Sequence, residues 1–562
     1  MNKYIPLLLL LVLVGCKKQL DVGNPNQPTI PQDVNNQSGL IAFAQGVVYI
    51  DGFQSANAYN WLGSSYFSLN YGYAELDADM VASDDANESV NTINVPAYVI
   101  LDDGTHVPAN PNATQGTTLR VTNTRSSTKA GYNPFYYEWA NMYIMNGDCN
   151  TVLSLIPTIK FTGDTAAVAN TIRTWCYFWK GYAYSVIGSQ YYAGLVVNTS
   201  GSTNGNYMIR DSIIAESNYW FNQALATLAL IPSGSADYSS VVGSLIPGFC
   251  QVGNGGVLTP TMWTHNINTM LARNILVNKL APFVNGSLNA SVQGASVGTM
   301  GTTDWQQVLS LATNGIQNGD YVFTGRSVEE NGFFSASSGT ASLITSGPNS
   351  NTVFKPSMRF TQNFNAGDLR FSQNFYDSVG TYYSDYFSTP YSLSNVPNTI
   401  SSVYNYGDQT VGNYELFIAG SYEENELMLA ESNIRLGNVN AGLLEIDAVR
   451  NYQGAGVAAV GGTGLSAPLA YQELVKERRV ALFDRGLSFW DTRRWGWTYD
   501  ISKGGGSYGN MMIYTPSSGS PITETNVTFD YDFMDYWDVP ADELELNPPT
   551  GGTGTVTKNP NF

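Results

Sequence analysis

The 562-residue chain carries 26 Lys and Arg against 45 Asp and Glu, a formal net charge of −19. A field of that sign repels nucleic acid and anionic lipid surfaces, so neither is a partner reached by long-range attraction. With two His and four Cys, the chain also lacks the material for a His-based metal site or a disulfide framework, and no cofactor or metal is expected.

Charged residues make up only 13%, while Tyr (36) and Gly (55) are abundant. Solubility therefore rests on neutral polar groups. That balance suits an exported protein. It also suits sugar recognition, in which ring faces stack on sugars and amides bond hydroxyls.

Residues 1–15 read as a lipoprotein signal peptide. Lys3 supplies the positive start, and an apolar run from Ile5 to Val14 follows, interrupted by Pro6. That run falls well short of the roughly 20 residues a bilayer requires. Leu13-Val14-Gly15-Cys16 has the lipobox pattern, with Cys16 as the thiol that takes the lipid. Cleavage there removes Lys3 and no acid, which moves the formal charge from −19 to −20. The expected product is lipid-anchored and not threaded through the membrane. Residues 16–38, with three prolines and several amides, read as a tether.

A first helix is predicted over 39–52. The aromatic, Ser/Asn/Gly-rich stretch 61–73 reads as loop. The acids from Asp77 to Glu88 imitate a calcium loop at three positions. Val81 and Ala82 stand where an oxygen ligand and a glycine belong, so an exposed acidic turn is expected instead. Residues 89–130 look like an irregular or β-rich insertion. Helical periodicity then returns over 136–156, 165–187, 211–230, 259–280 and 304–319. The row Trp263, Ile267, Leu271 and Ile275 marks one apolar face. Cys149 and Cys176 fall within these helices and are expected to pack as small apolar residues.

From 321 to 414 the pattern dissolves into Gly, Ser, Asn, Thr and aromatics, which predicts long loops with short strands. Asp368 and Arg370 are positioned to tie this region down as an ion pair. A helix pair follows at 423–436 and 441–450, separated by Gly437 and Asn438.

The densest cationic run is 471–496, YQELVKERRVALFDRGLSFWDTRRWG. Tyr471, Leu474, Val475 and Leu482 share a helix face, Gly486 is positioned to cap that helix, and Ser488 with Asp491 suggests a capping box for a second. Glu477, Arg478, Asp484, Arg485, Asp491 and Arg493 are interleaved with aromatics. Buried charge needs partners, so the block reads as a structural ion-pair clamp in preference to an anion site.

This block, the helix pair before it and the terminal Asn559-Pro-Asn-Phe562 resemble the SusD/RagB-like outer-membrane nutrient-binding lipoproteins of Bacteroidetes. The resemblance implies a mainly α fold, SusD-like, with tetratricopeptide-like helical repeats, long irregular loops and a few short strands. Residues 39–320 would form the helical-repeat part and 321–562 the C-terminal part, packed as one unit. It also implies a cell-surface lipoprotein of the outer membrane that binds oligosaccharides and delivers them to a SusC-like TonB-dependent transporter. A peptide-binding member of the class, a surface glycoside hydrolase and a purely structural lid are the alternatives.

Catalytic motifs are incomplete. Residues 505–509 match G-x-S-x-G, but no His follows His265 to serve that order. Residues 504–509 match G-x-G-x-x-G after a Trp/Arg helix instead of a strand, the wrong context for a dinucleotide. Both read as chance in a Gly-rich loop. Asp77, Asp79, Asp84, Asp85, Glu423, Glu424 and Glu426 are the acids a glycosidase pair would draw on, yet no pattern singles out two of them. Binding without catalysis is the expectation, and Trp61, Tyr71, Tyr73, Phe333 and Phe334 are the candidate stacking residues because they lie in loop-like stretches.

Overall fold

In the computed structural model, several of the helices begin where the sequence supplies a capping oxygen. The structure describes residues 34–49, 74–83, 96–108, 134–248, 257–281, 297–324, 354–377, 391–393, 400–406, 417–514, 522–531 and 534–560. In chain order the elements used below are α1 (Gln37–Gly46), β1 (Val81–Ser83), β2 (Tyr98–Ile100), β3 (His106–Pro108), α2 (Pro134–Leu155) and α3 (Thr165–Gln190). Next come β4 (Ala193–Leu195), β5 (Tyr207–Ile209), α4 (Arg210–Leu228), α5 (Ala236–Leu245), α6 (Pro260–Leu276) and α7 (Thr302–Thr313). The C-terminal part adds β6 (Phe354–Pro356), α8 (Met358–Thr361), α9 (Leu369–Asn374), β7 (Phe375–Asp377), β8 (Tyr391–Leu393), α10 (Tyr422–Arg435) and α11 (Val439–Tyr452). It closes with α12 (Ala467–Ala481), α13 (Ser488–Arg494), β9 (Ser507–Tyr514), β10 (Ile522–Asp530) and α14 (Ala541–Leu546).

The mainly α fold class is what the structure shows. Asp164 accepts from the N–H groups of Ala166 and Ala167 at the start of α3, Thr259 caps α6 with Pro260 at its first position, and Ser421 caps α10. Consecutive helices then pack in pairs: α2 on α3, α3 on α4, α6 on α7 and α10 on α11. Trp175, Trp179 and Trp263 meet Phe178 and Phe323 edge-on and tilted at the centre of the first half, with ring centroids 4.8 to 6.3 Å apart. Cys149 and Cys176 are free and fully buried beside this core. No described helix is long and apolar enough to cross a membrane.

Strands are short, except in one hairpin. β9 and β10 form the long arm of a four-stranded antiparallel sheet ordered β3-β2-β10-β9, in which Val99 lies opposite Phe529. This sheet binds the insertion around residues 98–108 to the C-terminal part. Asp102 in the β2–β3 turn accepts from the N–H groups of Thr525 and Asn526.

Several local expectations change. Asp77 and Asp79 are 1% and 0% exposed, so this part of the acidic stretch is core and not a surface turn. The reason is a partner far along the chain: Arg359 donates to both oxygens of Asp79 at 2.8 and 2.6 Å. Gly486 adopts a φ of 68°, but α12 has already ended at Ala481 with Leu482 as its cap, so the glycine shapes the link to α13. Ser488 forms no capping box. Its hydroxyl donates to Glu75 at 2.8 Å, and Asp491 is engaged by arginines. α5 and the β9–β10 hairpin lie outside the segments that helical periodicity marks.

Candidate functional site

α12 and α13 bring the arginine-rich block against charged residues of three other helices, α9, α10 and α11. Arg478 Nε and Arg494 Nε donate to the two oxygens of Asp491 at 2.9 and 2.7 Å. The remaining arms of Arg494 reach both oxygens of Glu431 at 2.7 Å each. Glu477 lies between Arg370 (2.6 Å) and Arg450 (2.8 Å), and Arg370 is held from its other side by Asp368 at 2.8 Å. Arg485 donates to Glu423 at 3.0 Å and to the Tyr404 hydroxyl at 3.1 Å. All of these charged side chains are buried, and Tyr404 is partly so.

Burial by itself would push the carboxyls of Glu477 and Asp491 up. The adjoining guanidiniums, Arg370 first for Glu477 and Arg478 first for Asp491, hold both below the usual carboxylate range instead. Arg493 departs from the expected acid pairing. Its guanidinium donates to the carbonyls of Ser189 (2.5 Å), Val277 (2.8 Å) and Asp535 (3.1 Å), joining three segments through main chain. The Asp484 N–H donates to Glu75 Oε1 at 3.1 Å, with Asp484 in the left-handed region at a φ of 59°. Burial first, and then the Asp484 charge, push the Glu75 carboxyl well up.

On the other side of α12 lies an open cleft of about 340 Å³. Tyr471, Gln472, Val475 and Lys476 line it from α12, Trp495 and Trp497 from the end of α13, Ser507 to Asn510 from β9, and Gln362 and Asn363 from the end of α8. Residues three and four apart share a helix face, which is why Tyr471, Gln472, Val475 and Lys476 meet here. Trp495 and Trp497 stand with ring centroids 5.5 Å apart at 51°. Arg479 lies over the Trp497 ring at 5.0 Å, and Arg435 lies over Tyr471 at 3.7 Å, which fixes both rings from behind.

Gly509 makes the strand side of the cleft. Val527 pairs with Asn510 while Thr528 pairs with Tyr508, so Gly509 is an extra residue in the ladder, at a φ of 71°. A bulge of this kind re-aims the side chains around it, and only glycine takes that conformation without strain. Asn510 Nδ2 donates to Ser507 Oγ at 2.6 Å, and the Tyr508 hydroxyl donates to the carbonyl of Gly505 at 2.6 Å. The Trp495 indole N–H, on a ring 3% exposed, has no hydrogen-bond partner in the structure. The cleft thus combines the partly exposed rings of Trp497 and Tyr508 with amides and hydroxyls.

Trp61, Tyr71, Tyr73, Phe333, Phe334 and Cys16 lie outside the described residues, as do Asp84 and Asp85. The other acids weighed for hydrolysis are occupied or buried away from the cleft. Asp79 holds Arg359, Glu423 holds Arg485, Glu424 holds Arg273 at 2.5 and 2.6 Å, and Asp77 is buried. Glu426 is hydrogen-bonded to Glu445. His265 sits 2.7 Å from Asp320, and His106 stacks on Tyr98, so neither serves Ser507. Among the described residues no group of three or more His, Cys, Asp or Glu could hold a metal ion.

The cleft residues were not singled out from sequence, because they come from four separate segments. The signal available was the Trp495-Gly-Trp497 spacing next to the glycine-rich run. The second half of that run, from Ser507, opens strand β9.

No family model matches the chain, and no curated protein matches it in sequence. Solved structures do. A SusD superfamily protein from Bacteroides vulgatus ATCC 8482 matches 91% of this chain and 97% of its own at 15% identity, with a TM-score of 0.51. A second solved structure, determined with a xylogluco-oligosaccharide, matches 91% of this chain and 98% of its own at 14% identity, with a TM-score of 0.53. Over most of its length, the chain has the SusD-like fold.

Proposed function

We propose that the protein is a lipid-anchored outer-membrane receptor that binds neutral oligosaccharides at the cell surface and hands them to a SusC-like TonB-dependent transporter, without turnover. The observation that carries this reading is the cleft beside α12. Trp497 and Tyr508 offer partly exposed rings above the buried Tyr471 and Trp495, and Gln362, Asn363, Gln472 and Asn510 offer amides. A pocket of mostly apolar lining with a few placed polar groups is the general form of a small-molecule site. The SusD-like fold supports the choice of ligand, since one neighbour was solved with a xylogluco-oligosaccharide. The lipobox at Cys16 supports the anchor, and the fold's kinship supports the transporter as partner.

Full-length protein in detergent, run through native gels containing xyloglucan, amylopectin or mixed-linkage β-glucan, is expected to be retarded by at least one of them. Co-purification of a TonB-dependent transporter from native outer membranes is expected alongside. Free migration in every gel, retardation by peptides alone, or release of reducing ends by the pure protein would each defeat the reading. Cys16→Ser is expected to release the protein from the membrane fraction.

A further inference from the structure

Beside the first cleft lies a second, of about 300 Å³, bordered by the loop after α8, by α9 and by the start of β8. Its wall is aromatic. Phe364 meets Phe371 at 5.5 Å and 71°, and Phe371 meets Tyr391 at 5.0 Å and 89°. All three rings are partly exposed.

One residue lines both clefts, Gln362. Its Oε1 accepts from the Met511 N–H at 2.9 Å, and its Nε2 donates to Asn510 Oδ1 at 3.2 Å and to the Arg359 carbonyl at 3.3 Å. Asn510 faces the first cleft and Met511 the second, so β9 runs along both. A side chain fastened in this way loses little rotamer freedom when a ligand arrives. Its carbonyl oxygen has taken one of the two hydrogen bonds it can accept.

Charge decides what such a groove takes. Of the residues lining the two clefts, only Lys476 and Asp368 are charged, and each is paired: Lys476 with Glu473 at 3.1 Å, Asp368 with Arg370 at 2.8 Å. A carboxylate or ammonium on the occupant would find no free counter-charge there. Size points the same way. Each cleft alone is at the lower limit of the ~300–1,000 Å³ typical of ligand sites, and the two together lie well within it.

We infer that the two clefts are consecutive subsites of one groove for a neutral sugar chain, joined across Gln362. The inference rests on the oligosaccharide-binding reading above and adds the requirement for length. A monosaccharide fills one subsite. A chain engages the second at the effective concentration set by the first, so affinity grows with length until both are filled.

The test is calorimetric titration of the full-length protein in detergent with cello-, malto- and xylo-oligosaccharides of one to six residues. In a series that binds, the Kd is expected to fall about tenfold or more between two and four residues, and then to level off. Phe371→Leu keeps apolar bulk and removes the ring, so it should erase that gain and leave the two-residue affinity within about twofold. Trp497→Ala should weaken every length. Thermal melts of both variants establish that they are folded, and Tyr391→Ser repeats the second-subsite test if Phe371→Leu is not. Equal affinity for two, four and six residues, or a second-subsite variant that keeps the full length dependence, overturns the two-subsite groove and leaves the receptor reading standing. Failure of every series at every length, together with free migration in every native gel, overturns both.

Discussion

Residues on the inner side of α12 and residues on its outer side meet opposite conditions. Glu477 and Arg478 face the core, where Arg370, Arg450 and Asp491 engage them at 2.6 to 2.9 Å. Tyr471, Gln472, Val475 and Lys476 face the open cleft, where rings and amides line space for a ligand. On the inside, opposite charges compensate one another's dehydration, and the result is rigidity. On the outside, capacity remains. Arg479 joins the two sides: its guanidinium donates to the carbonyls of Ala78 and Asp79 at 3.1 Å while lying over the Trp497 ring. The clamp therefore sets the position of a ring that the cleft presents.

The largest effect that would sharpen this contrast is on the inner side. Glu477→Gln strips Arg370 and Arg450 of the carboxylate they share, and breaking a buried pair costs about 3–5 kcal/mol. Denaturant unfolding should show that loss, while the fraction that stays folded keeps its sugar affinity. Trp497→Ala should do the reverse. Oligosaccharide affinity should fall by about 2 kcal/mol or more, as for a buried aromatic anchor, with little change in the unfolding midpoint.

A third prediction concerns pH. Burial, with a hydrogen bond and repulsion from Glu445, raises the Glu426 carboxyl from 4.5 to about 9. A carboxyl raised in the folded state favours folding fully below its unfolded value of 4.5, and that contribution is lost as pH rises toward 9. Glu426→Gln removes the penalty. It should stabilise the protein at pH 8 by on the order of 1–3 kcal/mol and change little near pH 4, as thermal melts at the two pH values would show. Glu477 and Asp491 have the opposite sign. Held low by arginines, they favour folding above their ordinary carboxylate range and lose that contribution as pH falls through their folded values. The smallest expected effect is that of salt: a cleft whose few charges are paired should bind neutral sugar almost equally at low and high ionic strength. A steep salt dependence in titrations would set the cleft beside the charged block after all.

The sequence made the helices legible because their apolar positions repeat at helical spacing and their caps are local, as Asp164 and Thr259 show. α5 escaped although Ser235 caps it and Tyr238, Val241, Val242 and Leu245 form its buried face, because the segment is short and stands among Ser and Gly. Asp77 and Asp79 read as surface because acids ordinarily stay hydrated. What buries Asp79 is Arg359, 280 positions away, which no local pattern reveals. The glycines at 504–506 and 509 masked β9 by suggesting only loop. Of the candidate site, the block around α12 was visible as a unit. The cleft was not, since Gln362, Tyr471, Trp497 and Asn510 converge only through the packing of α8, α12, α13 and the β9 bulge.

The most direct measurement is diffraction from crystals grown with a neutral oligosaccharide such as xylogluco-oligosaccharide. Sugar rings should lie against Trp497 and Tyr508, with hydroxyls bonded to Gln362 and Asn510. Well-ordered sugar bound elsewhere on the protein, with the space beside α12 empty, would contradict the assignment.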